Sequence, residues 1–257
     1  MIKRILAIDI GNTAGTAGFY EAGRLIDFKS LKYNSIPKYA IKCLESGRNS
    51  HLDIVISSVV PKITTFLKYK LHNIYGIRLW IAGSNLQIKI RHKYINYNRL
   101  GIDRKVNIYG ATLIYRLPIL IIDYGTAITF DYADAKGVFQ GGLIIPGPAL
   151  SYQALLASGA MLPKGRKFPG KSKSFPGRDT VSCLEAGILE GYGAMTDGLI
   201  QRFKSKFGPK FRVLATGGLA ATIAPYAKGI DTVDPKHSVK SLLALFREHW
   251  SRIQRDS

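Results

Sequence analysis

Asp9 and Asp123 each close an apolar run, and each is followed by a glycine and a small hydrogen-bonding residue: Asp9-Ile10-Gly11-Asn12-Thr13 early, Asp123-Tyr124-Gly125-Thr126-Ala127 later. A strand ending in aspartate, with a tight glycine turn behind it, sets a carboxylate beside exposed backbone N–H groups. That is a place for phosphate oxygens and their neutralising cation: amides and hydroxyls contact the phosphate, and the carboxylate reaches the metal directly or through water. A single such turn most often only reverses the chain. Two copies in equivalent places, each opening a strand–turn–strand, predict two halves facing each other across a cleft that holds a nucleotide. Thr216-Gly217-Gly218, after the strand FRVLA, adds a third glycine turn where backbone can approach an adenine or ribose closely. Neither a P-loop lysine motif nor a G-x-G-x-x-G fingerprint is present.

These turns need strands to carry them. RILAID over 4–9 reads as a buried strand, and two alternating strands follow around Glu21-Ala22-Gly23, giving three antiparallel strands. Residues 37–47, 61–75 and 103–116 read as helices, and LDIVISSVV and RLWIAG as further strands, the first continuous enough to be buried on both faces. At Pro118 the pattern restarts with three more strands. Helices follow over 148–159 and 180–207, then the strand KFRVLATGG and an amphipathic closing helix, SVKSLLALFREHW. Residues 163–179, rich in Pro, Gly, Lys and Ser, form a long loop. The expectation is an α/β chain of two domains, 1–116 and 117–257, each a mixed sheet with flanking helices.

Composition narrows the classes. No apolar stretch approaches the ~20 residues of a membrane-spanning helix, and no N-terminal segment has the form of a cleavable signal. The sequence reads as a soluble, cytoplasmic protein. Cys43 and Cys183 lack any C-x-x-C or Cys/His ligand spacing and read as buried structural thiols; the five histidines form no paired pattern. The formal charge of +20 is the one feature pointing to nucleic acid. Its lysines and arginines are scattered, without any nucleic-acid-binding motif, so compositional bias explains them better.

Chemistry on a phosphate held at these turns would also need a base near a departing proton. Asp103, in LGIDRK at the start of a helix, is the candidate, and Arg104 offers a planar fork for a substrate carboxylate. The structural alternative is an N-cap with a surface arginine.

The doubled turn looks like the superfamily of sugar kinases, acetate kinase, actin and heat-shock chaperone ATPases, whose two ribonuclease-H-like domains close on ATP. The ordered set DIGNT (9–13), GIDR (101–104), DYGTAIT (123–129), GGLIIPG (141–147), ALLASGAMLP (154–163), GRDT (177–180) and TGG (216–218) resembles type III pantothenate kinase over residues 4 to about 220. The resemblance implies phosphorylation of the pantothenate 4′-hydroxyl by ATP, the first step toward coenzyme A, in a homodimer with shared active sites. It implies Asp103 as proton acceptor, and Gly101, Ile102, Arg104, Tyr94 and Thr180 at the pantothenate site, Thr180 across the dimer interface. Asp9 would hold magnesium and phosphate with Gly11, Asn12 and Thr13. Asp123 would hold potassium or ammonium, and Gly125, Thr126, Gly217 and Gly218 would contact ATP. Ile102 stands where the family usually has alanine or serine, and Lys105 where it has an apolar residue. Two other readings stay open: a kinase or phosphatase of the same superfamily with a different substrate, and a nucleotide-binding regulator without catalysis.

Overall fold

The structure is a computed structural model that describes residues 4–46, 51–74 and 77–256. The chain divides into two compact units, residues 1–115 with 236–257, and residues 116–235.

In the first unit, β1 (Arg4–Ile10) is the middle strand of five. It pairs antiparallel with β2 (Gly15–Glu21), which pairs with β3 (Arg24–Leu31), and parallel with β4 (Leu52–Ser58), which pairs with β5 (Leu79–Ile81). The order is β3-β2-β1-β4-β5. Leu6, Ala7 and Ile8 on β1, and Ile54, Val55 and Ile56 on β4, are fully buried, as strands covered on both faces require. The β2–β3 turn carries positive φ at both Ala22 and Gly23, the twist that a two-residue hairpin needs.

Helix α1 (Ile36–Glu45) buries Ile36, Tyr39, Ala40 and Cys43, one stripe at helical spacing. Its C-terminal end is closed by a buried arginine from β1. Arg4 donates to the carbonyls of Cys43 and Leu44, to Ser46 Oγ at 2.8 Å and to Glu21 Oε1 at 3.1 Å. A cation against the carbonyl end of a helix satisfies both itself and the helix dipole. Helix α2 (Pro61–Leu67) runs on as a π-helical segment, Lys68–Ile74, so the helix expected over 61–75 changes its winding midway; residues 75–76 lie outside the described residues.

Helix α3 (Ile102–Ile114) completes this unit together with the last helix of the chain, His237–Asp256. The closing helix was expected with the second domain. It belongs to the first because its apolar face, Val239, Leu242, Leu245 and Phe246, is buried there, and because α3 is shaped to receive it. A Cβ at Gly110 would lie 2.1 Å from Ser241, so only glycine admits this crossing. Buried His237 donates from Nε2 to the Asn107 carbonyl at 3.0 Å.

The second unit repeats the plan. Strand β6 (Ile119–Tyr124) is central, antiparallel to β7 (Ala127–Ala133), which pairs with β8 (Phe139–Pro146). On its other side it runs parallel to β9 (Arg212–Thr216), followed by β10 (Thr232–Val233). The order β8-β7-β6-β9-β10 is that of the first sheet, and 3-2-1-4-5 in order of appearance is the ribonuclease-H-like arrangement. Helices α4 (Pro148–Ser158), α5 (Thr180–Phe207) and the short α6 (Ala220–Ile223) flank it, which makes the closing helix α7. Leu189 and Ile200 of α5 join Ile122, Tyr124, Phe130 and Ala215 in the core.

The loop 163–179 has no regular structure, yet it is tied down at its start and at its middle. Lys164 Nζ donates to the carbonyls of Leu156, Ala157 and Gly159 at the end of α4, and the Tyr226 hydroxyl accepts from Ser172 N at 2.7 Å. Cys43 is buried as expected. Cys183 is exposed, contrary to expectation, because it faces outward in the first turn of α5.

Candidate active site

The two aspartate turns occupy matched positions. In the first unit Asp9 stands opposite Thr16 on β2 and Ser57 on β4. In the second, Asp123 stands opposite Thr129 on β7 and Thr216 on β9. Each carboxylate therefore ends the central strand of its sheet with a hydroxyl residue on either side. Residues 11–14 close the first turn through Gly11 N to Ala14 O at 3.1 Å, and the Tyr33 hydroxyl donates to the Gly11 carbonyl. Asn12 and Thr13 are exposed on that turn.

Asp9 retains a little exposed surface, but its Oδ1 is shut off from solvent and has no hydrogen-bond partner. Burial pushes its carboxyl up to about 6; the hydroxyls of Ser57 and Ser238 oppose that rise, and the charge of Asp103 adds to it. A buried carboxylate with an orphaned oxygen, whose ionisation a second negative charge opposes, is a place a cation would relieve. Among the described residues no group of three or more His, Cys, Asp or Glu could hold a metal alone. A magnesium ion bound by one carboxylate takes its other oxygens from phosphate and water, so Asp9 fits that ion.

Asp103 lies in the first turn of α3, where the helix dipole favours a negative charge. Its Oδ1 accepts from Arg104 N at 2.8 Å, and a Cβ at Gly101 would lie 2.5 Å from the same oxygen. Gly101 is thus the residue that leaves room for this carboxylate. Gly101, rather than Asp103, is the N-cap, and Arg104 is buried instead of standing on the surface, so the structural alternative fails on both counts. The Arg104 guanidinium lies over the Tyr94 ring at 5.9 Å, and Lys105 over Tyr97 at 4.4 Å. Ile102 packs onto the turn after β5: a Cβ at Gly83 would lie 2.7 Å from its Cδ1. The first unit therefore brings Arg104 to Tyr94, and holds Asp103 near enough to Asp9 for its charge to act there.

The second unit brings Asp123, Gly125, Thr126 and Gly217 together. Gly217 has φ +90°, and a Cβ there would lie 2.4 Å from Asp123 Oδ1 and 2.7 Å from the Tyr124 backbone. The Gly217 main chain is therefore pressed directly against the Asp123 carboxylate. Gly147 donates its N–H to the Thr126 carbonyl at 2.9 Å and could carry no side chain, since a Cβ would come within 2.4 Å of the Gly125 and Thr126 carbonyls. Gly218 faces open space. Thr180 is the first residue of α5; the N-cap is Asp179, whose carboxylate accepts from Val181 N and Ser182 N in a capping box, leaving the Thr180 hydroxyl out of the cap.

Sequence reasoning passed over Tyr33, Ser57 and Ser238. Ser57 was accessible from the phrase VISS at the end of β4, whereas nothing local marks Ser238, more than two hundred residues from Asp9.

The family model described as type III pantothenate kinase matches residues 5–202. A type III pantothenate kinase from Citrifermentans bemidjiense is 34% identical over 254 residues, covering 95% of this chain and 99% of that protein. One from Geobacter sp. (strain M21) is 36% identical over 239 residues, covering 90% and 93%. Among solved structures, a Campylobacter jejuni protein described as a conserved Baf family transcriptional activator superposes with a TM-score of 0.58 at 20% identity, covering 96% of this chain and 99% of that one, a likeness that shows the fold alone. By the family match and the identity along nearly its whole length, the chain belongs to the type III pantothenate kinase family.

Proposed function

We propose that this protein transfers the γ-phosphoryl group of ATP to the 4′-hydroxyl of pantothenate, the entry step of coenzyme A synthesis, and that it does so in the cytoplasm. The observation that supports the reading is Asp103 in the first turn of α3, followed by buried Arg104 over Tyr94 and near enough to Asp9 for its charge to act there, a base and an anion-binding fork by a phosphate turn. In the reaction the hydroxyl oxygen attacks the γ-phosphorus, the bond to the β–γ bridging oxygen breaks, and ADP leaves with that oxygen. Asp103 accepts the hydroxyl proton. Arg104 pairs with the pantothenate carboxylate, holding the hydroxyl in line, and the Tyr94 ring packs on the substrate. The turn amides of Gly11, Asn12 and Thr13 contact phosphate oxygens in the first unit, and those of Gly125 and Thr126 in the second. Gly217 and Gly218 admit the nucleoside, and Thr180 contacts pantothenate from the other subunit.

Magnesium at Asp9, and potassium or ammonium at Asp123, would supply neutralisation of the phosphate charge that a P-loop lysine provides elsewhere. The homodimer reading is supported by exposed apolar residues of the second unit: Ile144 on the edge strand β8, Leu150 and Leu155 on α4, and Met161 just beyond it.

The test is ADP release from purified protein with ATP and magnesium, with and without potassium, against a panel of pantothenate, sugars and short-chain acids. Turnover dependent on pantothenate and potassium is expected. Turnover with a sugar or acyl substrate instead, or ATP binding without any turnover, would overturn the reading. Light scattering at micromolar concentration should give a dimer, and a monomer would remove the shared-site part.

A further inference from the structure

The two aspartate turns differ in length and in what steadies them. In the second unit Gly125 N donates to Ala127 O at 3.1 Å across a single residue, Thr126, whose carbonyl accepts from Gly147 N at 2.9 Å, so main chain holds that turn. In the first unit Gly11 N donates to Ala14 O, also at 3.1 Å, across two exposed residues, Asn12 and Thr13. Here the brace is a side chain. Tyr33 opens the short 3-10 helix Tyr33–Ser35 between β3 and α1, its ring packs on the core of the first sheet, and its hydroxyl donates to the Gly11 carbonyl. The chain just beyond it is anchored as well: Ile36 is fully buried, and a Cβ at Gly15 would lie 3.0 Å from its Cδ1.

The peptide unit that joins Gly11 to Asn12 is planar and trans, so its C=O and N–H point in opposite directions. A hydroxyl that fixes the Gly11 carbonyl therefore fixes the direction of the Asn12 N–H on the far side of the same plane. It also polarises the amide, which makes that N–H a stronger donor. We propose that Tyr33 is a positioning residue for nucleotide phosphate: by holding the Gly11 carbonyl it aims the Asn12 N–H at a phosphate oxygen. Tyr33 thus does with a hydroxyl, in the longer turn, what Gly147 does with main chain in the shorter one. The inference rests on the kinase reading for the presence of phosphate at this turn, and its test does not use pantothenate.

The probe is ATP with magnesium, titrated by calorimetry into the full-length wild type, Tyr33→Phe and Tyr39→Phe. Tyr39 is the matched control, a second tyrosine of the same core whose hydroxyl donates to Asp27 Oδ2 at 3.0 Å instead of to the turn. Loss of the Tyr33 hydroxyl should weaken ATP binding about 3- to 10-fold, and Tyr39→Phe should stay within about twofold of wild type. In isotope-labelled protein without ligand, the Asn12 amide resonance should move in Tyr33→Phe and stay in place in Tyr39→Phe. Unchanged ATP affinity in Tyr33→Phe would overturn the proposal, as would equal weakening in both variants, an Asn12 resonance that does not move, weakening accompanied by a thermal midpoint well below that of Tyr39→Phe, or wild type that binds no ATP. If affinity and resonance both respond in a protein that does not phosphorylate pantothenate, the positioning role stands and the substrate assignment fails.

Discussion

The turn at Asp9 and the turn at Asp123 are built alike and furnished differently. Both end the middle strand of a 3-2-1-4-5 sheet, between an antiparallel partner bearing threonine and a parallel partner bearing serine or threonine. At Asp9 the surroundings are side chains: a second carboxylate, Asp103, and hydroxyls from β4 and α7. At Asp123 they are main chain, with Gly217 pressed against the carboxylate and Gly147 against the turn carbonyls. One backbone device thus becomes a charge-crowded site in one unit and a backbone-lined cradle in the other. The specialisation comes from what packs onto the turn rather than from the turn itself.

The largest effect should come from the side-chain-furnished turn. Asp103→Asn keeps the shape and removes the proposed base, and kcat should fall about 10²- to 10⁴-fold with the pantothenate KM nearly unchanged. A fall below tenfold would mean that the two carboxylates do not divide labour as described.

The glycines should respond in opposite ways. Gly217→Ala forces a side chain into φ +90° and onto Asp123, and should cost about 2–4 kcal/mol in chemical denaturation. Gly11 has an ordinary backbone, and its nearest neighbour to a new Cβ would be the Ala14 carbonyl at 3.5 Å. Gly11→Ala should cost under about 1 kcal/mol, the smallest effect of the set. Equal losses at both positions would erase the distinction between the two turns.

Between these lies the burial of Asp9. Its carboxyl stands at about 6 against an ordinary 3.8, so the folded protein binds this proton more tightly than the unfolded chain. The ionised form costs stability in full above pH 6, and the cost fades as the pH falls from 6 toward 3.8. In metal-free protein, Asp9→Asn should therefore be more stable than wild type by about 3 kcal/mol at pH 7.5, and equal to it near pH 4. A variant less stable at neutral pH would show that the carboxylate is not crowded in the absence of cation.

Much of this was legible in the residues. Apolar runs and glycine turns located both sheets, and the helix expected over 180–207 is the helix found, since Asp179 and Ser182 mark its start and Gly208 its end. The closing helix was recognised, but its place was not. An amphipathic pattern says that a face will be covered without saying by what, and the fit of Ser241 over Gly110 is written in residues far apart. The same distance hid Ser238. Arg104 read either as a fork for a substrate carboxylate or as a surface residue beside a cap, because a long charged side chain carries no periodic signature; its burial and its place over Tyr94 rule out the surface position.

The placement of α7 also orders the biosynthesis of the fold. Residues 116–235 form a unit with its own sheet and core, and all of them leave the ribosome before the helix that covers α3 exists. Until residues 237–256 emerge, Gly110 faces no Ser241, Trp80 lacks the Phe246 and Trp250 rings that meet it edge-on, and Asp9 lacks Ser238. The unit begun first is finished last, so a nascent chain can hold a complete second half while the first phosphate turn is still incomplete. An enzyme so arranged completes its first unit only after α7 has emerged.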